Sequence, residues 1–359
     1  ASRGLGDVYK RQIVIILLIV LFLFATITYK NKKIGRNGFL LWSALVLFFI
    51  YILKDNDFVP DVNTYQDYFE NAHDLKYLFV YQDFEIGYVG VNLLVRFFTD
   101  NFYVFIVLYS LILVYANIKT VQRYSVNVWL SVALYICSIF FSLFLLRQYL
   151  AIAICILSIP FILDRKPVPF ILLTVLASLF HRSAMVWSMT YLIYIFPISK
   201  KGLCLILLVG IVGILSMELV IDKLLTVGGS LGSKIESYTT GDEIVYSWKN
   251  AAMSLSVLMF YLFALGKQLF RLEGAPKFFF LMYCIAFLLN VINMMGTSFS
   301  ALYRLEPYFS FSLIYLIPHG ILYVKKTEGK LFIAGFFMML FFYSQYSAAM
   351  SQRGFQFLF

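Results

Sequence analysis

The sequence predicts an all-α fold, a polytopic membrane bundle of about twelve spans, on three observations. Hydrophobic residues make up 62% of the 359-residue chain and charged residues only 13%. Apolar runs of roughly 16 to 20 residues, about the length a bilayer-crossing helix needs, recur from end to end without strand-like alternation. The lysines and arginines collect in the short loops between alternate runs, as cytoplasmic connections do.

Taken in order, the predicted spans are 13–29, 38–53, 102–119, 127–146, 149–163, 168–180, 184–197, 202–221, 249–266, 278–295, 305–324 and 331–350. Six loops fix the orientation: Lys30, Lys32, Lys33 and Arg36; Lys119 and Arg123; Arg165 and Lys166; Lys200 and Lys201; Lys267, Arg271 and Lys277; Lys325, Lys326 and Lys330. With alternating spans all six fall on one face, which the positive-inside rule makes cytoplasmic. The segment 86–98 (IGYVGVNLLVRFF) is apolar enough to span, but counting it would invert every later loop. It is expected to be a re-entrant or interfacial helix on the outer side, with Arg96 reaching the headgroups.

Residues 1–12 contain Asp7-Val8-Tyr9-Lys10-Arg11-Gln12, the translation of a common sequencing adapter, and are expected to be an artefact preceding a native start near Ile13. The remainder, 13–351, forms one domain with outer loops 54–101 and 222–248 and a short external tail, 352–359. Within the first loop, positions 54–85 hold eight of the 19 acidic residues and two lysines. Its run Pro60-Asp61-Val62-Asn63-Thr64-Tyr65 is suited to opening a helix. The second loop is rich in Gly, Ser and Thr.

Several function classes drop out. The net charge of +10 belongs to cytoplasmic loops and is no nucleic-acid signal. No phosphate-binding loop, dinucleotide fingerprint or zinc motif occurs. Cys137, Cys155, Cys204 and Cys284 sit inside apolar runs without metal spacing and are expected to be packing residues. No metal site and no cofactor is expected.

The chemistry rests on charges at the outer ends of spans, where a lipid-facing chain has no other use for them. Arg147 precedes the span at 149, His181 and Arg182 occupy a short turn, and Arg304 opens the span at 305. Snorkelling to headgroups would be served as well by lysine, yet these outer turns carry arginine, whose planar fork suits phosphate. Three arginines and a histidine at one mouth point to a large anionic substrate. Asp61 and Glu85 adjoin aromatic, partly apolar stretches, so either is a candidate base for a sugar hydroxyl, as is His181. Glu85, entering the membrane at Ile86, ranks first, His181 second and Asp61 third.

The chain resembles the EpsG family of exopolysaccharide (Wzy-like) polymerases over nearly all of 13–351. The resemblance is carried by Asp61-x-x-x-Tyr65, Glu85-x-Gly87-Tyr88, Arg147-Gln148-Tyr149-Leu150-Ala151, His181 with Ala184, and Arg304 leading to Tyr308-Phe309. Many family members carry aspartate where this chain has Glu85. The arginine-rich loop motif of other O-antigen polymerases is absent.

What the resemblance implies is polymerisation of undecaprenyl-diphosphate-linked oligosaccharide outside the bacterial cytoplasmic membrane. Arg147, Arg182 and Arg304 would bind the diphosphate. Tyr65, Tyr88, Tyr149 and Tyr308 would bind sugar. The partners implied are membrane lipid and the flippase and chain-length regulator of the same pathway. A lipid-linked oligosaccharide flippase and another outer-face glycosyltransferase or ligase are the alternatives. A flippase is expected to carry charge along the bundle interior rather than at one mouth.

Overall fold

The computed structural model describes residues 35–53, 62–71, 84–138, 146–195, 248–294 and 304–351, with isolated positions between Val20 and Thr28 and between Ile198 and Leu208. Among the described residues every regular element is helical. Five helices among the described residues are long and apolar enough to cross a membrane: Gly35–Ile52, Phe102–Tyr124, Leu146–Leu163, Trp248–Arg271 and Gly274–Asn293. Shorter apolar helices accompany them. The spans expected at 13–29 and 202–221 lie largely outside the described residues, as do Asp61, Cys204, the loop 222–247 and both termini.

The elements are α1 (Gly35–Leu53), α2 (Val62–Asn71), α3 (Ile86–Phe98), α4 (Phe102–Tyr124), α5 (Val128–Ser138), α6 (Leu146–Leu157) and α7 (Ile159–Leu163). Then come α8 (Pro167–Ser178), the 3₁₀ segment Arg182–Trp187, α9 (Ser188–Ile195), α10 (Trp248–Leu265) and α11 (Gly274–Met294). The chain closes with α12 (Pro307–Ser310), α13 (Leu313–Ile321) and α14 (Thr327–Ser351).

Helix α6 is buried along most of its length. Ala151, Ala153 and Cys155 are fully enclosed, and their small side chains let α4 and α8 approach closely on either side. Cys155 is thus a packing residue, and Cys137 and Cys284 are free thiols. Trp187, fully buried, donates from Nε1 to Ser158 Oγ at 2.8 Å and clamps the 3₁₀ segment to the α6–α7 junction.

Polar ties sit where helices end. Asn101 Oδ1 accepts from Tyr103 N at 2.9 Å, an N-cap that starts α4. At the other end of α4 the Arg36 guanidinium donates to the carbonyls of Gln122 and Ser125, joining α1 to carbonyls the helix leaves open.

Two predicted spans are differently built. The run at 305–324 is broken, because α12 stops at Ser310, Phe311 and Ser312 form a turn, and α13 contains Pro318. The run at 184–197 is a 3₁₀ segment followed by the eight-residue α9. Arg147 also differs from expectation. It lies within helix α6 and not in a turn before the span, since Leu146-Arg147-Gln148 offers no helix breaker.

Segment 86–98 forms a helix over its whole length, α3, packed against α2 and α4. Its Arg96 turns inward. The guanidinium donates to the Phe69 carbonyl at the end of α2, lies 5.7 Å from the Phe69 ring centroid and pairs with Asp100 at 3.5 Å. The expectation that Arg96 reaches the headgroups is corrected by these contacts, which leave its side chain 14% exposed.

Candidate functional site

The aromatic periodicity of α2 creates one wall. Val62, Tyr65, Tyr68 and Phe69 recur at helical spacing and are buried against α3 and α4. Tyr65 and Tyr68 meet Phe84 and Tyr88 across the gap, with centroid separations of 4.5 Å for Tyr68–Phe84 and 5.5 Å for Tyr65–Tyr88. Into this box comes Arg147. Its guanidinium carbon stands 4.6 Å from the Phe84 ring centroid, 5.7 Å from that of Tyr65 and 6.0 Å from that of Tyr88. Arg147 Nε donates to Tyr65 Oη at 3.4 Å.

Glu85 completes the enclosure. Its Oε2 accepts from Arg147 Nη1 at 2.5 Å, and its Oε1 accepts from the backbone N–H of Arg182 at 3.3 Å. One carboxylate therefore joins Arg147 of α6 to the start of the 3₁₀ segment. The pair is mostly enclosed, with side chains 20% and 14% exposed for Arg147 and Glu85. Removing either partner would strand the other charge, which is far costlier than losing an exposed pair. Arg147 Nη2 has no partner among the described residues and is the free tine of the fork.

Backbone contact brings Glu85 to this position. Gly87 N donates to Leu179 O at 2.8 Å, drawing the first turn of α3 onto the turn after α8. A Cβ on residue 87 would lie 2.7 Å from that carbonyl oxygen, so only glycine permits the approach. A side chain at 87 would lift Glu85 away from Arg182.

His181 precedes the 3₁₀ segment in extended conformation. Its Nδ1 lies 2.6 Å from Ser183 Oγ, which donates to Tyr308 Oη at 3.1 Å. With the serine proton directed to Tyr308, Nδ1–H donates to Ser183 and Nε2 carries the lone pair. Burial pushes the His181 pKa down to about 4; Glu85 pulls it up, while Arg147 and Arg304 press it down. The ring is therefore neutral at physiological pH, with a proton-accepting nitrogen facing no described partner.

Gln148, buried on α6 next to Arg147, donates from Nε2 to the Arg304 carbonyl at 2.7 Å. That bond holds the turn 304–306 beside Arg147. The side chains of Arg182 and Arg304 are exposed.

The structure thus unites Glu85, Arg147, His181, Arg182 and Arg304 from four separate stretches of chain. Asp61 is outside the described residues. Tyr65, Tyr88, Tyr149 and Tyr308, expected to bind sugar, are only 4%, 1%, 5% and 0% exposed. Burial withdraws their ring faces from a ligand: Tyr65 and Tyr88 enclose Arg147, and Tyr308 receives Ser183. Sequence reasoning gave no role to Phe84, Gln148 or Ser183. Phe84 and Gln148 were signalled only by adjacency to Glu85 and Arg147, and Ser183 only by its place after His181-Arg182. Among the described residues no group of three or more His, Cys, Asp or Glu forms a metal site.

A family model described as the EpsG family matches residues 39–358. The chain belongs to the EpsG family. No curated protein and no solved structure matches it. The EpsG match begins within α1 and takes in every residue of the constellation, so the site lies wholly inside the family's shared region.

Proposed function

We propose that this chain joins undecaprenyl-diphosphate-linked oligosaccharide units into an exopolysaccharide or O-antigen-type polymer, at the outer face of a bacterial cytoplasmic membrane that it crosses about twelve times. The observation that carries this reading is the Glu85–Arg147–Arg182–His181 constellation beside Arg304. It combines an oriented cation with a free N–H, two exposed arginines and a neutral imidazole at neighbouring helix ends.

In this mechanism the arginines bind the donor diphosphate. His181 Nε2 takes the proton from a hydroxyl of the acceptor's terminal sugar. That oxygen bonds to the anomeric carbon of the growing chain, and the bond from that carbon to the diphosphate oxygen breaks. The electron pair departs on undecaprenyl diphosphate, whose developing charge the arginines stabilise. The geometry favours His181 over Glu85 as base, because both Glu85 oxygens are already engaged. Glu85 acts as a positioning residue for Arg147. The flippase and chain-length regulator of the pathway would deliver new lipid-linked repeat units and limit polymer length.

The test is reconstitution. Purified protein in proteoliposomes, given lipid-linked repeat units from a polymerase-deficient producer strain, is expected to yield a ladder of polymer together with undecaprenyl diphosphate. Movement of intact units across the bilayer with no ladder would establish the flippase instead.

A further inference from the structure

Tyr308 is buried completely, and the proposed reaction leaves it without a task. Its place is nonetheless fixed from two sides. Gln148 holds the backbone of the turn at Arg304 from α6. Glu306 accepts from Asn290 Nδ2 of α11 and from Ser310 Oγ, both at 3.2 Å. So anchored, the turn brings the phenol oxygen to the 3₁₀ segment, where Ser183 Oγ donates to it at 3.1 Å. Ser183 is itself held, because Ala184 N donates to His181 O at 3.0 Å and Trp187 clamps the far end of the segment.

A serine hydroxyl has one proton to give. Two acceptors compete for it here: Tyr308 Oη, and the lone pair that His181 could carry on Nδ1, 2.6 Å from the same oxygen. While the tyrosine takes it, the contact to the ring closes only if the imidazole supplies a proton from Nδ1. Nε2 is then left bare. Among the described residues Ser183 Oγ has no partner beyond these two, so the contest between them sets the outcome. Charging the ring does not disturb the arrangement. An imidazolium keeps its Nδ1–H on Ser183, and no hydroxyl has to turn as Nε2 gains a proton.

We propose that Tyr308 is a positioning residue for His181 and acts through Ser183: its phenol oxygen draws the serine proton away from the ring and selects the tautomer with the lone pair on Nε2. The catalytic consequence rests on the polymerase reading, in which Nε2 is the base; the choice of tautomer does not. Tyr308→Phe removes one buried oxygen and keeps the ring that packs there. The serine proton is then released to Nδ1, the other acceptor within reach, which moves the imidazole proton to Nε2 and blocks the base.

The full-length protein with isotope-labelled histidine is reconstituted into liposomes, and solid-state NMR at neutral pH reads which nitrogen of each ring is protonated. The chain has three histidines, and the signal that vanishes in His181→Gln identifies the relevant one. The wild type is expected to show Nδ1–H, and Tyr308→Phe a majority of Nε2–H. In the polymer assay that variant should lose about tenfold in kcat, as only a minority of rings keep a base at Nε2, with KM for the lipid-linked unit unchanged. Ser183→Ala cuts the link, so adding Tyr308→Phe to it should change neither spectrum nor rate further. A wild-type ring protonated on Nε2 overturns the proposal. So does a Tyr308→Phe spectrum identical to the wild type, or a Tyr308 effect that persists undiminished in Ser183→Ala. Reversal of the tautomer in a protein that makes no polymer, or with no change in polymer rate, would uphold the positioning and refute the reading of Nε2 as the polymerase base.

Discussion

At the scale of single residues the proposed chemistry depends on Arg147 being an arginine. Its fork is shared, one nitrogen to Glu85, one to Tyr65 and one left for an oxyanion. A lysine ammonium in the same box offers no such division. Arg147→Lys is therefore expected to lower polymer-forming kcat by about 10²-fold, nearly as much as Arg147→Ala, with normal membrane abundance. Full-length polymer from Arg147→Lys would reduce the residue to a headgroup anchor. His181 yields a pH prediction. Its pKa is depressed to about 4, so the neutral base is present above that value and is lost as pH falls through it. The acid limb of kcat/KM should accordingly inflect near pH 4 and not at the ordinary imidazole value of about 6.5. Loss of that limb in His181→Gln, measured on residual activity, ties it to this ring; a limb that persists unchanged assigns it elsewhere. Residue identities were legible in the sequence because charges in so apolar a chain are few. Their partners were not: Glu85 ranked first as a base, and the ion pair that occupies it joins residues 62 positions apart.

At the scale of elements the site is an assembly of helix ends, and glycine decides whether they meet. Gly87→Ala would drive a methyl group into the Leu179 carbonyl, a backbone atom that cannot swing aside. The expected cost is about 1–3 kcal/mol of stability, with loss of activity through the displaced Glu85. Gly90→Ala, one turn along the same helix, meets nothing within 4 Å and should be neutral or slightly stabilising. Thermal unfolding of both variants in detergent is the check; equal behaviour of the two would remove the close-approach argument. The elements themselves were partly legible. α3 matches the predicted segment at both ends, and α4 and α8 start within a residue of their predicted spans. The breaks at 310–313 and in the 3₁₀ segment were missed, because hydropathy counts apolar residues and is blind to how the backbone between them turns.

At the scale of the whole molecule the six basic loops imply a single register. Single cysteines introduced in 54–85 or 222–247, with the four native cysteines replaced, are expected to react with a membrane-impermeant maleimide in intact cells. A cysteine at 200 or 201 is expected to stay unlabelled until the membrane is opened. Labelling of that loop in intact cells would sink the twelve-span arrangement. The sequence by itself determined the helical membrane class, the family and the identity of the ionisable groups, because each follows from composition, hydropathy and local motif. Only the tertiary structure decided which of those groups act together. Glu85 took Arg147, the tyrosines turned inward, His181 acquired a serine and tyrosine behind it, and Glu306 found two neutral partners. Each outcome depends on contact between helices far apart in sequence, and on burial that local pattern does not encode.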